Sequence, residues 1–407
     1  MLLNTSRILR ALIVALAAAA ANQAQTVVDA DHLANARKAF ESGNGNAFAC
    51  DIKPVPPALN YSLRLEAGYT ATVPMGQFDG KEQHWAMLLR VTPEGHEPTY
   101  LVSTIDIPAK EPDDKTEIET HGAFLVGEGN YTVTAELEDK EHRACRREWR
   151  VQAKQDRSEH GLRPMLPAGA VAATSSGITP PEAPSNDRKG AVTILFDAAP
   201  VSRKAPQLEA GDLSRLTDSL SSLITELDAS AVRLIAFNLE QQKIVYKSDS
   251  FTLAKLDKLR SAITEVKTGL VSAAVLANPN GSRDLLAKLL DEEAGGPEHR
   301  TVIFLGPHSR VQQSAKNGDP VSGEWANRLF YLEHKGELQH EMVMPQRRRG
   351  YGPMMDGRFG DRSPRGPVVA EFPDTIEQLV KQLKGKTFTI RTPKDYASAI
   401  VSIQHSL

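Results

Sequence analysis

The chain has 407 residues, with 48 lysines and arginines against 51 aspartates and glutamates and a formal net charge of −3. This length exceeds what one hydrophobic core normally serves, so the sequence predicts two or three domains. So small a net charge gives no general attraction to nucleic acid or to an anionic membrane, and neither is predicted as a partner.

The first 24 residues have the pattern of a secretory signal peptide. Arg7 and Arg10 precede a run of small apolar residues over 11–21, with cleavage predicted after Ala21 or Ala24. A membrane anchor is the alternative, but the run is shorter than the roughly 20 apolar residues that span a bilayer. No second such run follows. We therefore expect a secreted or periplasmic protein with no transmembrane segment in the mature chain.

Residues 25–46 and 47–153 differ in their apolar periodicity. The first segment has near-helical spacing and is predicted to form a short helical lead-in, whereas the second alternates apolar and polar residues, as antiparallel strands do. A turn over 127–130 followed by Tyr131 resembles the glycine-x-tyrosine strand entry of immunoglobulin-like sandwiches. We predict an immunoglobulin-like β-sandwich over 47–153.

The two cysteines of the chain are Cys50 and Cys145. An even count in an exported protein favours a disulfide, whereas two reduced thiols would suit a cytosolic chain better. Closing so long a loop stabilises the folded state by ~4–5 kcal/mol in the loop-entropy model.

Residues 154–189 are rich in proline, glycine and serine and are predicted to be an exposed linker. After it, strand and helix patterns alternate over 190–407, which predicts a mostly parallel sheet covered by helices. The predicted strands are 191–197, 232–239, 243–247, 300–306, 328–333 and 387–391, and the predicted helices are 207–228, 252–265, 282–294, 374–384 and 393–405. The predicted fold class is therefore multidomain: an N-terminal antiparallel β-sandwich followed by a C-terminal α/β doubly wound domain.

The order of elements in this second half resembles that of von Willebrand factor A domains, particularly the exported bacterial type. The segments that carry the resemblance are a buried strand ending at Asp197, the apolar run 232–238, the hairpin-like 241–246, the helical 284–290 and the strand 301–306. The resemblance covers about half of the chain. It implies a Rossmann-type domain with a metal-ion-dependent adhesion site at the carboxyl ends of its strands.

Most ligands that this resemblance would require are replaced. In the family the first strand ends in Asp-x-Ser-x-Ser, but Asp197 is followed by Ala199 and Val201 at the serine positions. Where the family has Thr-Asp-Gly, this chain has Gly306, Pro307 and His308. One carboxylate leaves the shell of a hard cation almost entirely to water, so we predict a degenerate site with no metal and no cofactor.

Asp197 then has two interpretations. The favoured one is a strand-end acid that accepts backbone N–H groups from the following turn. The other places it on a metal-free contact surface together with His308 and Ser309.

Two further segments contain candidate binding residues. A zinc site is suggested by the pairs Glu333-His334 and His340-Glu341, but they lack the spacing that sets two imidazoles on one helical face, so a solvated loop is expected.

Residues 345–367 form an arginine-rich loop, interpreted as a polar insertion or as a contact for acidic glycans, envelope phosphates or an acidic partner. Its arginines are Arg347, Arg348, Arg349, Arg358, Arg362 and Arg365.

No serine-hydrolase elbow, zinc-protease helix or phosphate-binding glycine loop occurs in the sequence. The leading hypothesis is an exported non-catalytic interaction or assembly module that binds a protein or envelope component. The alternatives are an envelope-directed hydrolase with unrecognised active residues and metal-dependent adhesion through substitute ligands.

Overall fold

A computed structural model describes residues 25–29, 40, 48–109, 116–141, 143–156, 162, 166–174, 190–201, 208–227, 229–265, 275, 277–278, 280–294, 300–309, 325, 328–335 and 374–406. The chain divides into two compact units, Met1–Pro181 and Glu182–Leu407. The predicted signal peptide, most of the lead-in and linker, the arginine-rich loop, and His340 and Glu341 lie outside the described residues.

The first unit contains two antiparallel sheets. One has the strand order β1-β5-β4-β7-β8 and the other β2-β3-β6-β9. The strands are β1 (Thr26–Val27), β2 (Asp51–Leu59), β3 (Leu65–Pro74), β4 (Gln83–Pro93), β5 (Thr99–Ile107), β6 (Glu117–Val126), β7 (Gly129–Asp139), β8 (Ala144–Ala153) and β9 (Val171–Ala173).

The alternation predicted for β4 matches its burial. Trp85 and Met87 lie on its buried face together with Leu89 and Val91, while the residues between them are more exposed. Phe48 stacks on Trp85 with ring centroids 6.4 Å apart. The predicted disulfide is confirmed: Cys50 lies just before β2 and Cys145 lies in β8, so the bond joins the two sheets.

A glycine makes room for a buried tyrosine between β3 and β6. Tyr69 of β3 pairs with Gly122 of β6, and a side chain at Gly122 would meet the Tyr69 ring and hydroxyl. The Tyr69 hydroxyl accepts a 3.0 Å hydrogen bond from Gln25 Nε2. Because the phenol is buried, its pKa rises to about 12.

Within its described residues, the second unit contains one sheet and five helices. Its strands are β10 (Val192–Asp197), β11 (Val232–Asn238), β12 (Lys243–Ser248), β13 (Thr301–Pro307), β14 (Arg328–His334) and β15 (Lys386–Ile390). Its helices are α1 (Ala210–Leu227), α2 (Leu256–Thr264), α3 (Gly281–Ala294), α4 (Thr375–Gln382) and α5 (Pro393–Gln404). These elements confirm the predicted helices and strands of this half to within a few residues at each end.

The six strands are arranged in the order β12-β11-β10-β13-β14-β15. Neighbouring strands are parallel except β12, which pairs with β11 as an antiparallel hairpin. Strands β10 and β13 are buried along their whole length, which explains their uninterrupted apolar sequences. In the core of this unit the Phe304 ring contacts the rings of Phe237 and Tyr331 edge-to-face.

The predicted fold class, a sandwich followed by a doubly wound α/β domain, is wrong. The structure is mostly β-sheet, with 44% strand and 27% helix in three sheets and five helices. Strands of nine to eleven residues fill the first unit. These long antiparallel strands mean that strand, and not an alternation of strand and helix, dominates the described residues.

Among the residues that the structure describes, no helix combines the length and apolar character needed to cross a membrane.

Candidate functional site

The carboxyl ends of β10, β13 and β14 meet at one edge of the second sheet, which we call the carboxyl edge. Phe196 pairs with Leu305, and Gly306 pairs with Glu333 on the next strand. Residues in register share a face of the sheet, so Asp197, Gly306 and Glu333 form one row across three strands. Gly306 is the member of this row without a side chain, and a Cβ there would lie 2.6 Å from the Asp197 Cβ.

Asp197 is 1% exposed and serves the turn that follows its strand. Its Oδ1 accepts a 3.1 Å hydrogen bond from the Ala199 backbone nitrogen, which confirms the favoured interpretation of this residue as a strand-end acceptor. Its Oδ2 is buried and has no hydrogen-bond partner within the described part of the chain. Burial raises the pKa of Asp197 well above its usual value, since the charged form loses its hydration, and the charge of Asp374 raises it further.

Next to Asp197 lies a group of three titratable side chains, which we call the acid–imidazole cluster. It consists of His308 after β13, Glu333 in β14 and Asp374 before α4, with one ligand-type atom of each lying within 4.8 Å of the others. His308 Nδ1 is 2.6 Å from Glu333 Oε1 and 3.3 Å from Asp374 Oδ2. The Glu333 and Asp374 side chains are 3% and 0% exposed, whereas that of His308 is 19% exposed.

Asp374 is held by the start of helix α4. It is the N-cap residue, and its Oδ1 accepts a 2.8 Å hydrogen bond from the Glu377 backbone nitrogen. Its Oδ2 accepts a 2.6 Å hydrogen bond from the Ser309 backbone nitrogen and lies 3.0 Å from the Tyr331 hydroxyl. Burial raises the pKa of Asp374, although these donors favour its ionised form.

Glu333 is oriented by the neighbouring strand and by a lysine. Thr389 of β15 donates a 3.2 Å hydrogen bond to Glu333 Oε2. Lys335 Nζ lies 3.6 Å from Glu333 Oε1, and its side chain is 40% exposed. Tyr331, two residues before Glu333 on the same face, is fully buried, and this burial raises the pKa of its phenol well above the usual value.

The solvated loop expected at Glu333-His334 is wrong, because both residues are buried inside β14. Strand β14 continues one residue beyond the predicted end and carries the two side chains into the unit. The His334 ring lies 6.0 Å from the ring of Tyr396. Burial lowers the pKa of His334 to about 3, since the imidazolium form cannot be hydrated there.

The residues predicted as a possible contact edge are mostly buried. Only His308 is partly exposed, whereas Asp197, Ala199, Val201, Gly306 and Pro307 are buried. The sequence analysis did not identify Asp374 as a site residue. The pattern that could have identified it is an aspartate followed three residues later by a glutamate, Glu377, at the start of an amphipathic helix, which is typical of a helix N-cap.

The cluster therefore joins an imidazole to two buried carboxylates at the partly open end of a sheet. Such a set of donors has the chemistry to bind a cation, and a carboxylate-held imidazole has the chemistry to accept a proton from a bound molecule.

Comparisons with known proteins give no family. No family model and no curated protein matches the chain. Among solved structures, the Northeast Structural Genomics Consortium target SoR45 has 13% identity and a TM-score of 0.17 over 27% of this chain and 89% of its own. The sporulation control protein Spo0M of Bacillus subtilis has 14% identity and a TM-score of 0.16 over 26% of this chain and 50% of its own.

A calcium-binding mutant of Bacteroides uniformis beta-glucuronidase 2 has 11% identity and a TM-score of 0.19, over 70% of this chain and 36% of that chain. Scores this low support no assignment of fold or function. None of these structures is a named von Willebrand factor A domain, so that resemblance stays a prediction.

Proposed function

We propose that this protein is an exported, non-catalytic interaction or assembly module that binds a protein or cell-envelope partner at the carboxyl edge without a cation held by Asp197. The observation that carries the proposal is the environment of Asp197, which is buried and already bonded to the Ala199 backbone nitrogen. If the resemblance to von Willebrand factor A domains holds, buried Ala199 and Val201 replace two of the oxygen ligands of that family's metal site. His308 supplies a partly exposed polar group at the same edge.

The proposal is tested by immobilising the full-length protein and measuring what it captures from an envelope extract of the producing cell. We expect His308→Ala to reduce capture of the main partner by about 10-fold or more, because a polar anchor contributes over about 1 kcal/mol. Arg328→Ala is the matched control, since Arg328 is exposed at the amino end of β14, the opposite end of the sheet.

Asp197→Asn is expected to leave capture unchanged, because the proposal assigns no cation to that carboxylate. Equal capture by the wild type and His308→Ala would contradict the proposed contact edge. Capture that requires magnesium and is lost in Asp197→Asn would contradict recognition without a cation at Asp197.

A second candidate function is hydrolysis of envelope material. It is favoured by the 2.6 Å approach of His308 Nδ1 to Glu333 Oε1, since a carboxylate that orients an imidazole in this way is the arrangement of a general base. Turnover of envelope peptides or glycans by the purified protein, abolished in His308→Ala and retained in Arg328→Ala, would replace the binding module with this enzyme.

A further inference from the structure

The three side chains of the acid–imidazole cluster lie close enough together to bind one metal ion, which the proposed partner binding does not require. Its three side chains come from three separate segments, and their donor atoms converge to within 4.8 Å of one another. The 3.3 Å between His308 Nδ1 and Asp374 Oδ2 equals the separation of two ligands that each lie about 2 Å from a tetrahedral ion. These two atoms are thus spaced as ligands of one ion, whereas the 2.6 Å between His308 Nδ1 and Glu333 Oε1 is a hydrogen bond that lengthens when the ion binds.

The charges of the cluster are also unbalanced. Glu333 and Asp374 are almost completely buried, and Asp197 is buried on the same row as Glu333. Among the described residues, the cationic groups that contact the two cluster carboxylates are those of His308 and of Lys335, whose side chain is 40% exposed. Buried carboxylates are costly unless they are paired or coordinate a metal, so a divalent cation would stabilise this arrangement.

Two buried polar atoms of residues next to the cluster are available to a ligand. Among the described residues, Ser309 Oγ has no hydrogen-bond partner, although the backbone nitrogen of the same residue bonds to Asp374 Oδ2. The same holds for Asp197 Oδ2. Buried polar atoms without partners are rare in native structures and mark places where a water or an ion belongs.

We propose that His308, Glu333 and Asp374 bind one divalent transition-metal cation of the zinc type. Imidazole nitrogen with carboxylate oxygen suits zinc, manganese or cobalt, whereas calcium takes six to eight oxygens. Three protein ligands leave one position of a tetrahedral ion for water or for a group of a partner. The Nδ1–H contact with Glu333 gives way to the metal bond, and the imidazole binds as its Nε2–H tautomer.

Outer hydrogen bonds position these ligands. Thr389 donates to Glu333 Oε2, and the Ser309 backbone nitrogen donates to Asp374 Oδ2, so each carboxylate is oriented before a cation arrives. Partners of this kind fix the ligand geometry in metal sites and typically change metal affinity by about 10–100-fold when removed.

The test is isothermal titration calorimetry on the full-length protein, stripped with chelator and dialysed, with zinc chloride and separately with magnesium chloride. We expect one zinc ion per chain with a Kd tighter than about 10 µM, and no comparable magnesium binding. His308→Asn and Glu333→Gln are each expected to weaken zinc binding by at least about 100-fold, since each removes a ligand rather than an outer partner.

His84→Asn is the matched control. His84 Nδ1 also lies 2.6 Å from a carboxylate, that of Asp106, and its other nitrogen lies 3.6 Å from Glu82, but this group is exposed on the first unit. Zinc binding should be unchanged in this variant. Absence of binding in the wild type, or retention of the zinc stoichiometry and affinity in both ligand variants, would overturn the site.

Cobalt gives a second readout, because its visible absorption bands distinguish a tetrahedral protein site from the hydrated ion. The bands are expected in the wild type and in His84→Asn and are expected to be lost in His308→Asn. Should Glu333→Gln fail to fold, His308→Asn decides alone, since His308 is the partly exposed member of the cluster. Because the titration contains no partner, its outcome is independent of the capture experiment.

Discussion

The buried acids of the first unit and those at the carboxyl edge of the second unit are accommodated differently. In the first unit, Glu136 and Asp139 are buried, but each is met by the guanidinium of an arginine, Arg146 and Arg143 respectively. In the second unit, Glu293 is likewise met by Arg233, but Glu333 and Asp374 converge at the carboxyl edge on one imidazole, that of His308. The arginine pairs match each acid with its own guanidinium, whereas the carboxyl edge places two acidic side chains against one imidazole where a ligand is able to bind.

The units also differ in what stabilises them. The first has a disulfide between its sheets, and the second has a buried imidazole and capped helices. We therefore expect loss of the disulfide to destabilise the first unit, and protonation of the buried imidazole to destabilise the second. Four variants test how far the stabilities of the two units are separate, from the largest expected effect to the smallest.

Removal of the disulfide should have the largest effect. In Cys50→Ala/Cys145→Ala, a bond that closes a separation of 95 residues is lost, and we expect the first unit to be destabilised by about 4–5 kcal/mol. Hydrogen exchange measured by mass spectrometry should show lower protection in β7 and β8 and unchanged protection in β10 and β13. An equal loss of protection in both units would break the comparison.

His334→Phe should change how the second unit responds to acid. The folded-state pKa of about 3 lies below the unfolded value, so His334 contributes stability that is present above about pH 6.5 and lost as pH falls toward 3. Between pH 6.5 and 4 this loss is roughly 3 kcal/mol. The variant, which keeps an aromatic ring against Tyr396, should lack that part of the acid dependence.

Denaturant unfolding at a series of pH values provides the measurement for His334→Phe, with the exposed His84→Asn as the control. The difference in unfolding free energy between the wild type and His334→Phe should vary with pH only in this acidic window. Parallel curves for the two proteins would show that the buried imidazole does not govern the acid response of the second unit.

Tyr69→Phe makes the corresponding test at alkaline pH in the first unit. A folded-state pKa of about 12 is raised above the usual 10, so the contribution of Tyr69 is complete below pH 10 and lost as pH rises toward 12. At pH 11 the wild type should have lost about 1–2 kcal/mol through this group, and the variant should not. Tyr246→Phe, at a partly buried tyrosine of the second unit, is the control.

Thr392→Ala should have the smallest effect. Thr392 caps α5 by accepting a hydrogen bond from the Asp395 backbone nitrogen, and Asp395 bonds back to the Thr392 backbone nitrogen. Loss of this capping box should cost the second unit about 1 kcal/mol. The matched control is Thr252→Ala, because Thr252 precedes a short helix without a side-chain cap bond. Equal thermal shifts in the two variants would contradict the role assigned to the cap.

Local patterns were sufficient to predict the separate elements. The apolar run before Asp197 predicted a buried strand, and the structure has β10 at Val192–Asp197. The alternation through Trp85 and Met87 predicted β4, and the cysteine count predicted the disulfide. Each of these signals lies within one short segment or follows from composition, so it needs no knowledge of distant neighbours.

The fold class was predicted wrongly for a physical reason. Strand and helix alternation after residue 190 indicates which elements form, but it does not determine which strands pair in parallel or whether each crossover contains a helix. The parallel pairing of β10 with β11 and β13 depends on contacts between segments that are far apart in the sequence. Because the first unit consists largely of long strands, the structure as a whole contains more strand than helix.

By itself, the sequence determined the segments, the disulfide and the backbone-bonding role of Asp197, because these depend on periodicity, composition and contacts a few residues apart. Only the tertiary structure decided that His308 meets Glu333, 25 positions away, and that Ser309 meets Asp374, 65 positions away. It also placed Glu333 and His334 in the interior rather than in solvent. The physical reason is that parallel strands bring their carboxyl ends to one edge through long connections, so the chemistry of that edge arises from strand register and not from any local motif.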